Sequence, residues 1–392
     1  MGNRFIANRY QGVSRTAMGD IDSKENMFND IINFSLGDPD LITDDYIIKN
    51  AFADAKAGHT KYTGFRGDKE LSEEISKFYN EEYNIKIPTE EVFVSASGCI
   101  AMYLVLESII NDGEEVLMQS PYFTPYEQQI KLARGIPVEL PTYEKDDFQI
   151  DVNVLEKYIT DKTKAIIINS PSNPTGAVLS EENMKSVLEV AKKHDLIVIS
   201  DEIYTAYSFE RKFVPFISLK GARERTITIN SFSKNFIMTG WRIGNIVAQE
   251  EIVETIQKIN ENVVFTAPSV SQRAAIHALR NRKEIQPKII EEYKRRMFYA
   301  AERVNKIKNM HVIYPPKGSF YLFINIKDTG LTSKEVTDKL FEEAHVLMIP
   351  GNGFGKCGEG YIRMACTTDV SVVEEAFNRI EKMKIFGVKD GE

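Results

Sequence analysis

Between residues 91 and 250 the chain alternates short runs rich in Val and Ile with longer stretches in which apolar residues recur every three or four positions. The runs are EVFVSA, EVLMQ, IPVELP, KAIIINS, LIVISD, TITINS and GNIVAQ, each too short for a helix. Seven buried strands separated by helices predict a mainly parallel, doubly wound sheet sandwiched by helices. The stretch 181–194 shows what lies between them. Ser180 suits an N-cap, Glu181 and Glu182 suit the positive end of a helix dipole, and Met184, Val187, Leu188 and Ala191 make one apolar stripe.

Before this region, residues 45–57 and 68–83 have helical periodicity and flank the loop HTKYTGFRG. The first forty or so residues read as an arm, ending at the turn in FSLGDPD. Beyond residue 250 strands become sparse. Helical patterns cover 250–262, 268–281 and a long charged stretch, 286–308, which reads as a connecting helix. Strand-like SFYLFINI, a helix over 333–344, glycine-rich IPGNGFGKCGEG, the run GYIRMAC and a helix over 370–384 complete the chain. The predicted class is α/β, with a large domain built on the seven-stranded sheet and a smaller α+β domain. Residues 1–44 form the arm and part of the small domain, 45–283 the large domain and 284–392 the C-terminal small domain.

Composition narrows the function classes. Lys plus Arg number 49 and Asp plus Glu 57, giving a net charge of −8 with both signs dispersed, which argues against nucleic-acid or anionic-membrane partners. Cys99, Cys357 and Cys366 lack metal-ligand spacing, as do the five histidines, so no metal and a reducing compartment are expected. Residues 1–30 show no signal-peptide apolar core and no run approaches a membrane span, so the expected location is cytoplasmic.

Ligands of an open α/β sheet bind beyond the carboxyl ends of its strands, so the residues that follow each run are informative. Ser97, Gly98 and Cys99 open a helix whose N–H groups can receive a phosphate. Phe123 in SPYF offers a flat apolar face, NPTG brings Asn173, and the fifth run ends at Asp201 with Tyr204 three residues on. The sixth enters SFSKNFIMTGWRIG, where Lys234 stands beside Ser231 and Ser233, eight residues before Arg242. A lysine of lowered pKa condenses with a carbonyl, and an arginine with two hydroxyls holds a phosphate dianion. Each feature alone has a plainer reading as a cap, turn or core residue. Together they supply the parts that one aldehyde-bearing phosphate ligand needs.

That lysine segment resembles the signature of the class I and II aminotransferases of pyridoxal-phosphate fold type I, which are aspartate aminotransferase-like, and the resemblance covers nearly the whole chain. It implies an enzyme that moves an amino group between an L-amino acid and a 2-oxo acid by ping-pong kinetics, through a pyridoxal 5'-phosphate Schiff base on Lys234. By the same resemblance Asp201 pairs with the pyridine nitrogen, Asn173 and Tyr204 bond the ring's phenolic oxygen, and Phe123 stacks on the ring. Ser97, Gly98, Cys99, Ser231, Ser233 and Arg242 hold the phosphate, joined by Tyr62 from the neighbouring subunit of a homodimer. Arg363 in GYIRMAC matches the arginine that grips the substrate α-carboxylate, with Gly37 and Asn173 beside it. Pro121 and Pro174 occupy steps that are commonly cis in such proteins. Ile237 stands where most relatives carry a small residue. Cys99 stands where some aspartate-using relatives carry lysine, and Phe320 and Tyr321 are compatible with aromatic or aliphatic substrates. The same fold also serves pyridoxal-phosphate C–S β-lyases. It occurs in transcription regulators too, but these carry a helix-turn-helix domain ahead of it.

Overall fold

The computed structural model describes residues 4–7, 10 and 27–389; most of the expected N-terminal arm lies outside these residues. Strand β1 (Ile32–Asn33) leads to the helices Asp45–Lys56 and Lys69–Tyr83, whose N-caps Asp44 and Asp68 accept from backbone N–H groups two residues on. Then follow β2 (Val92–Ser95), β3 (Glu115–Ser120), β4 (Ile136–Pro141), β5 (Thr163–Asn169), β6 (Ile197–Asp201), β7 (Thr226–Ser231) and β8 (Gly244–Val247). All seven predicted strands form one sheet in the order β2-β8-β7-β6-β5-β3-β4. β8 is antiparallel to both its neighbours, and every other pair is parallel. The link from β7 to β8 holds only the four-residue helix Phe232–Asn235 and a 3₁₀ turn, not the long crossover helix that usually returns a chain in parallel.

The unbroken apolar runs follow from burial on both faces. In β5, Ala165 and Ile167 join one core cluster while Ile166 and Ile168 join the other, as the two-residue period of a strand requires. The helix Glu181–Lys193 covers the second face with Met184, Val187, Leu188 and Ala191, and Ser180 caps it.

A second group of strands comprises β9 (Tyr321–Asn325), β10 (Val346–Leu347), β11 (Ile349–Pro350) and β12 (Tyr361–Ala365). β11-β12-β9 is antiparallel, and β10 pairs in parallel with β1, joining the two ends of the chain. The long helix Arg282–Lys306 starts four residues earlier than its periodicity predicts, because Pro287 lies inside it rather than at its beginning. Among the described residues no helix is long and apolar enough to cross a membrane, and no group of three His, Cys, Asp or Glu side chains is placed to hold a metal ion.

Candidate active site

A cavity of about 500 Å³ opens beyond the carboxyl ends of β5, β6 and β7, with β9 and β12 on its far side. Lys234 enters it from the short helix Phe232–Asn235 that follows β7. Tyr207 donates to the Lys234 carbonyl at 2.9 Å, and Asn235 is tied to Thr205 and Ala206, so the lysine's backbone is fixed. The ammonium donates to the Gly37 carbonyl and lies 5.7 Å above the Phe320 ring. Burial lowers its pKa to about 8; Asp38 pulls the other way, while Arg363 and Arg242 add to the drop.

Asp201, the last residue of β6, is buried and accepts from the Tyr126 hydroxyl and from the Ile203 N–H. It has no ion pair among the described residues, and burial pushes its pKa up to about 6. Phe123, Asn173 and Tyr204 line the same cavity. The hydroxyls of Ser231 and Ser233 lie 3.0 Å apart; Arg242 and the opening residues Gly98 and Cys99 of the helix Gly98–Ile109 are close to them in the lining. Two glycines keep this corner open. A Cβ on Gly98 would meet Ile203 Cδ1 at 2.8 Å, and one on Gly244 would meet the Asn230 carbonyl at 2.8 Å.

Ser97 differs from expectation. It does not line the cavity: its hydroxyl caps the helix by accepting from the Ile100 N–H, and its φ of +120° turns the chain into that helix. Tyr62 also stands apart from its own chain's cavity, 80% exposed and packed edge-on against Phe265. Ile237 is buried with φ +54°, a left-handed conformation that costs a branched residue on the order of 1–2 kcal/mol. Burying the side chain contributes roughly 2–3 kcal/mol, so the core contact outweighs the backbone. Ser120–Pro121 and Asn173–Pro174 are cis, as are Ser170–Pro171 and Tyr314–Pro315.

The opposite wall is built around Arg363, in the middle of β12 and 1% exposed. Its guanidinium lies 4.6 Å from the Tyr321 ring centre and 4.8 Å from that of Phe354. It donates to Asn173 Oδ1 at 3.0 Å and to the Ser35 carbonyl, which leaves Nε buried without a partner among the described residues. Gly37 approaches so closely that a Cβ there would sit 1.8 Å from the Tyr321 hydroxyl. Tyr126, Ser35 and Phe354 escaped the reading of the sequence, in which Tyr321 figured only as an aromatic. Tyr126 alone had a local signal, three residues after Phe123, and the two rings meet edge to face at 5.6 Å although Phe123 precedes the helix that carries Tyr126.

These residues fit the pyridoxal phosphate that the resemblance implies. Asp201 is a buried carboxylate without a cation, suited to a cationic ring nitrogen. Two hydroxyls, an arginine and a helix N-terminus converge as a phosphate cradle. The free Arg363 Nε is a donor in search of an acceptor.

Comparison with known proteins bears on the whole chain. The family model described as aminotransferase class I and II matches residues 29–380. An aspartate aminotransferase of Pyrococcus abyssi is 41% identical over 90% of this chain and 92% of its own length. The aromatic-amino-acid aminotransferase 2 of Thermococcus litoralis is 39% identical over 90% and 91%. Among solved structures, an aromatic aminotransferase from Pyrococcus horikoshii superposes with a TM-score of 0.87 at 38% identity, covering 92% of this chain and 97% of that one. The Thermus thermophilus aspartate aminotransferase with maleate reaches 0.91 at 27% identity, covering 96% and 99%. On the strength of the matched segment and of relatives aligned along nine-tenths of its length, the chain belongs to the class I and II aminotransferases, enzymes that transfer an amino group between an amino acid and a 2-oxo acid.

Proposed function

We propose that this transaminase works with pyridoxal 5'-phosphate held on Lys234, with the side chains of the two cavity walls in distinct roles. What carries the reading is Lys234 itself: a half-buried amine whose pKa desolvation lowers to about 8, lining one cavity with a buried carboxylate and a phosphate cradle. When bound, the cofactor supplies an aldehyde for amines and a cationic ring that accepts the electron pair of a bond broken at the substrate α-carbon. Asp201 keeps the ring nitrogen protonated, and Tyr126 keeps Asp201 oriented. Asn173 and Tyr204 would hydrogen-bond the phenolic oxygen, and Phe123 would stack on the ring. Ser231, Ser233, Arg242 and the N–H groups at Gly98 and Cys99 hold the phosphate, with Ser97 shaping that turn. Arg363 receives the substrate α-carboxylate, positioned by Asn173 and closed over by Gly37. The Lys234 amine would take the proton from the substrate α-carbon as general base and return it as acid.

The same reading includes a homodimer whose partner supplies Tyr62. The exposure of Tyr62, Phe65 and Phe265 in one aromatic group supports it. A division into the domains 45–283 and 284–392, with the N-terminal segment returning to the second through the β1–β10 pair, is part of the proposal. So is a cytoplasmic location, consistent with three unpaired cysteines. The test is Lys234→Ala: loss of the visible absorbance of the loaded protein and of turnover is expected. Turnover that persists in the variant would overturn the reading.

A further inference from the structure

We infer that Tyr321 is a positioning residue that acts through Tyr204, its hydroxyl setting how strongly Tyr204 donates into the cavity. The inference rests on the function proposed above. Tyr204 OH lies 3.2 Å from Tyr321 OH and donates to it, the rings meeting edge to face at 5.8 Å. Both side chains are buried, and burial raises the pKa of each phenol, so both keep their protons. The Tyr321 hydroxyl makes no other hydrogen bond among the described residues, so its own proton has no acceptor while Tyr204 points towards it.

Each phenol has one proton to donate and lone pairs with which to accept. If Tyr204 turns its proton towards an acceptor in the cavity, its oxygen becomes free to accept, and the Tyr321 proton can swing into it. The two hydroxyls then run in one direction, Tyr321 to Tyr204 to ligand. Donors in series polarise one another, so the last bond is strengthened. Tyr321 cannot drift from this position. Its ring lies against the Arg363 guanidinium and its hydroxyl abuts Gly37, where even a methyl group has no room. The charged groups facing the pair are Asp201 from β6, Arg363 from β12, Asp38 beside Gly37, and Lys234; Tyr321→Phe keeps all four in place and changes only the phenol's small effect on Arg363.

The experiment uses full-length protein loaded with pyridoxal phosphate and follows its visible absorbance against pH. A donor to the phenolic oxygen stabilises that oxygen in its deprotonated form, so weakening the donor raises the midpoint of the spectral transition. Tyr321→Phe, which keeps the ring under Arg363, should raise the midpoint by about 0.5 pH units. Tyr204→Phe should raise it further, and the double variant should match Tyr204→Phe alone, because Tyr321 then has nothing to act through. An unchanged midpoint in Tyr321→Phe, or single effects that add in the double variant, would overturn the inference while leaving the proposed function standing. A parent protein with no visible band would overturn both.

Discussion

The wall formed by the seven-stranded sheet and the wall formed by β9 and β12 treat buried charge in opposite ways. Asp201 and Lys234 on the first have no ion pair among the described residues, and desolvation moves both towards neutrality, to about 6 and about 8. Arg363 on the second is as buried as Asp201 and more so than Lys234, but lies between two aromatic rings, with an amide and a carbonyl as acceptors. Burial lowers its pKa too, yet a guanidinium stays charged in such surroundings. One wall therefore carries an electrostatic cost that a ligand of the right charge relieves, while the other holds a charge already oriented for its partner. A site assembled in this way can recognise cofactor and substrate separately.

That separation can be broken by mutation. Arg363→Ala should lower kcat/KM for an amino donor by about a thousandfold, the scale expected when one member of a buried charged pair is removed. Cofactor affinity, measured by absorbance titration, should stay within a few-fold. An equal loss of both would mean that the walls are not independent.

Asp201→Asn tests the first wall from the other side. The difference between the ordinary 3.8 and about 6 corresponds to about 3 kcal/mol against the ionised form. For a carboxyl whose pKa is raised by folding, stability is fully present below 3.8 and is lost as pH rises through about 6. The cofactor-free variant should thus be more stable than its parent at pH 7 by up to about 3 kcal/mol in urea unfolding, with the gain shrinking towards pH 4. Turnover should fall at the same time. A less stable variant at pH 7 would show that the Tyr126 and Ile203 hydrogen bonds outweigh desolvation.

A smaller effect concerns the backbone after Lys234. Glycine normally costs more than alanine inside a packed structure, but residue 237 has φ +54°. Ile237→Gly should therefore be less destabilising than Ile237→Ala by about 1 kcal/mol, since glycine relieves the left-handed conformation that alanine retains. Thermal unfolding of the two variants decides it, and the reverse order would remove strain from the description of this turn.

How much of this was legible in the sequence differs between the walls for a physical reason. Asn173, Asp201, Ser231 and Lys234 follow strands buried on both faces, so periodicity located the strands and topology located their ends. Phe123 and Tyr126 are three residues apart and their rings touch, so the second was within reach of the same reasoning. The antiparallel placement of β8 was not predicted, because an apolar run gives its position in the sheet's core but not its direction. The Arg363 wall has no such local period. Its carbonyl partner Ser35 is 328 residues away, and Gly37 meets Lys234 across 197. Phe354 comes from a glycine-rich turn whose pattern says nothing of where its ring will lie. Resemblance supplied Arg363 and Gly37, whereas the aromatic rings and the Ser35 carbonyl emerged only from the fold. Ile237 was recognisable as unusual, but only its backbone conformation shows why a small residue would suit it.

The central claim is that Lys234, of all the lysines in the chain, is the amine that carries the cofactor. Reduction of the pyridoxal-phosphate-loaded enzyme with borohydride makes that link permanent, and peptide mapping by mass spectrometry then locates it. The account predicts a single modified peptide containing SFSKNF with the label on Lys234; a stoichiometric label on any other lysine, with Lys234 unmodified, would contradict it.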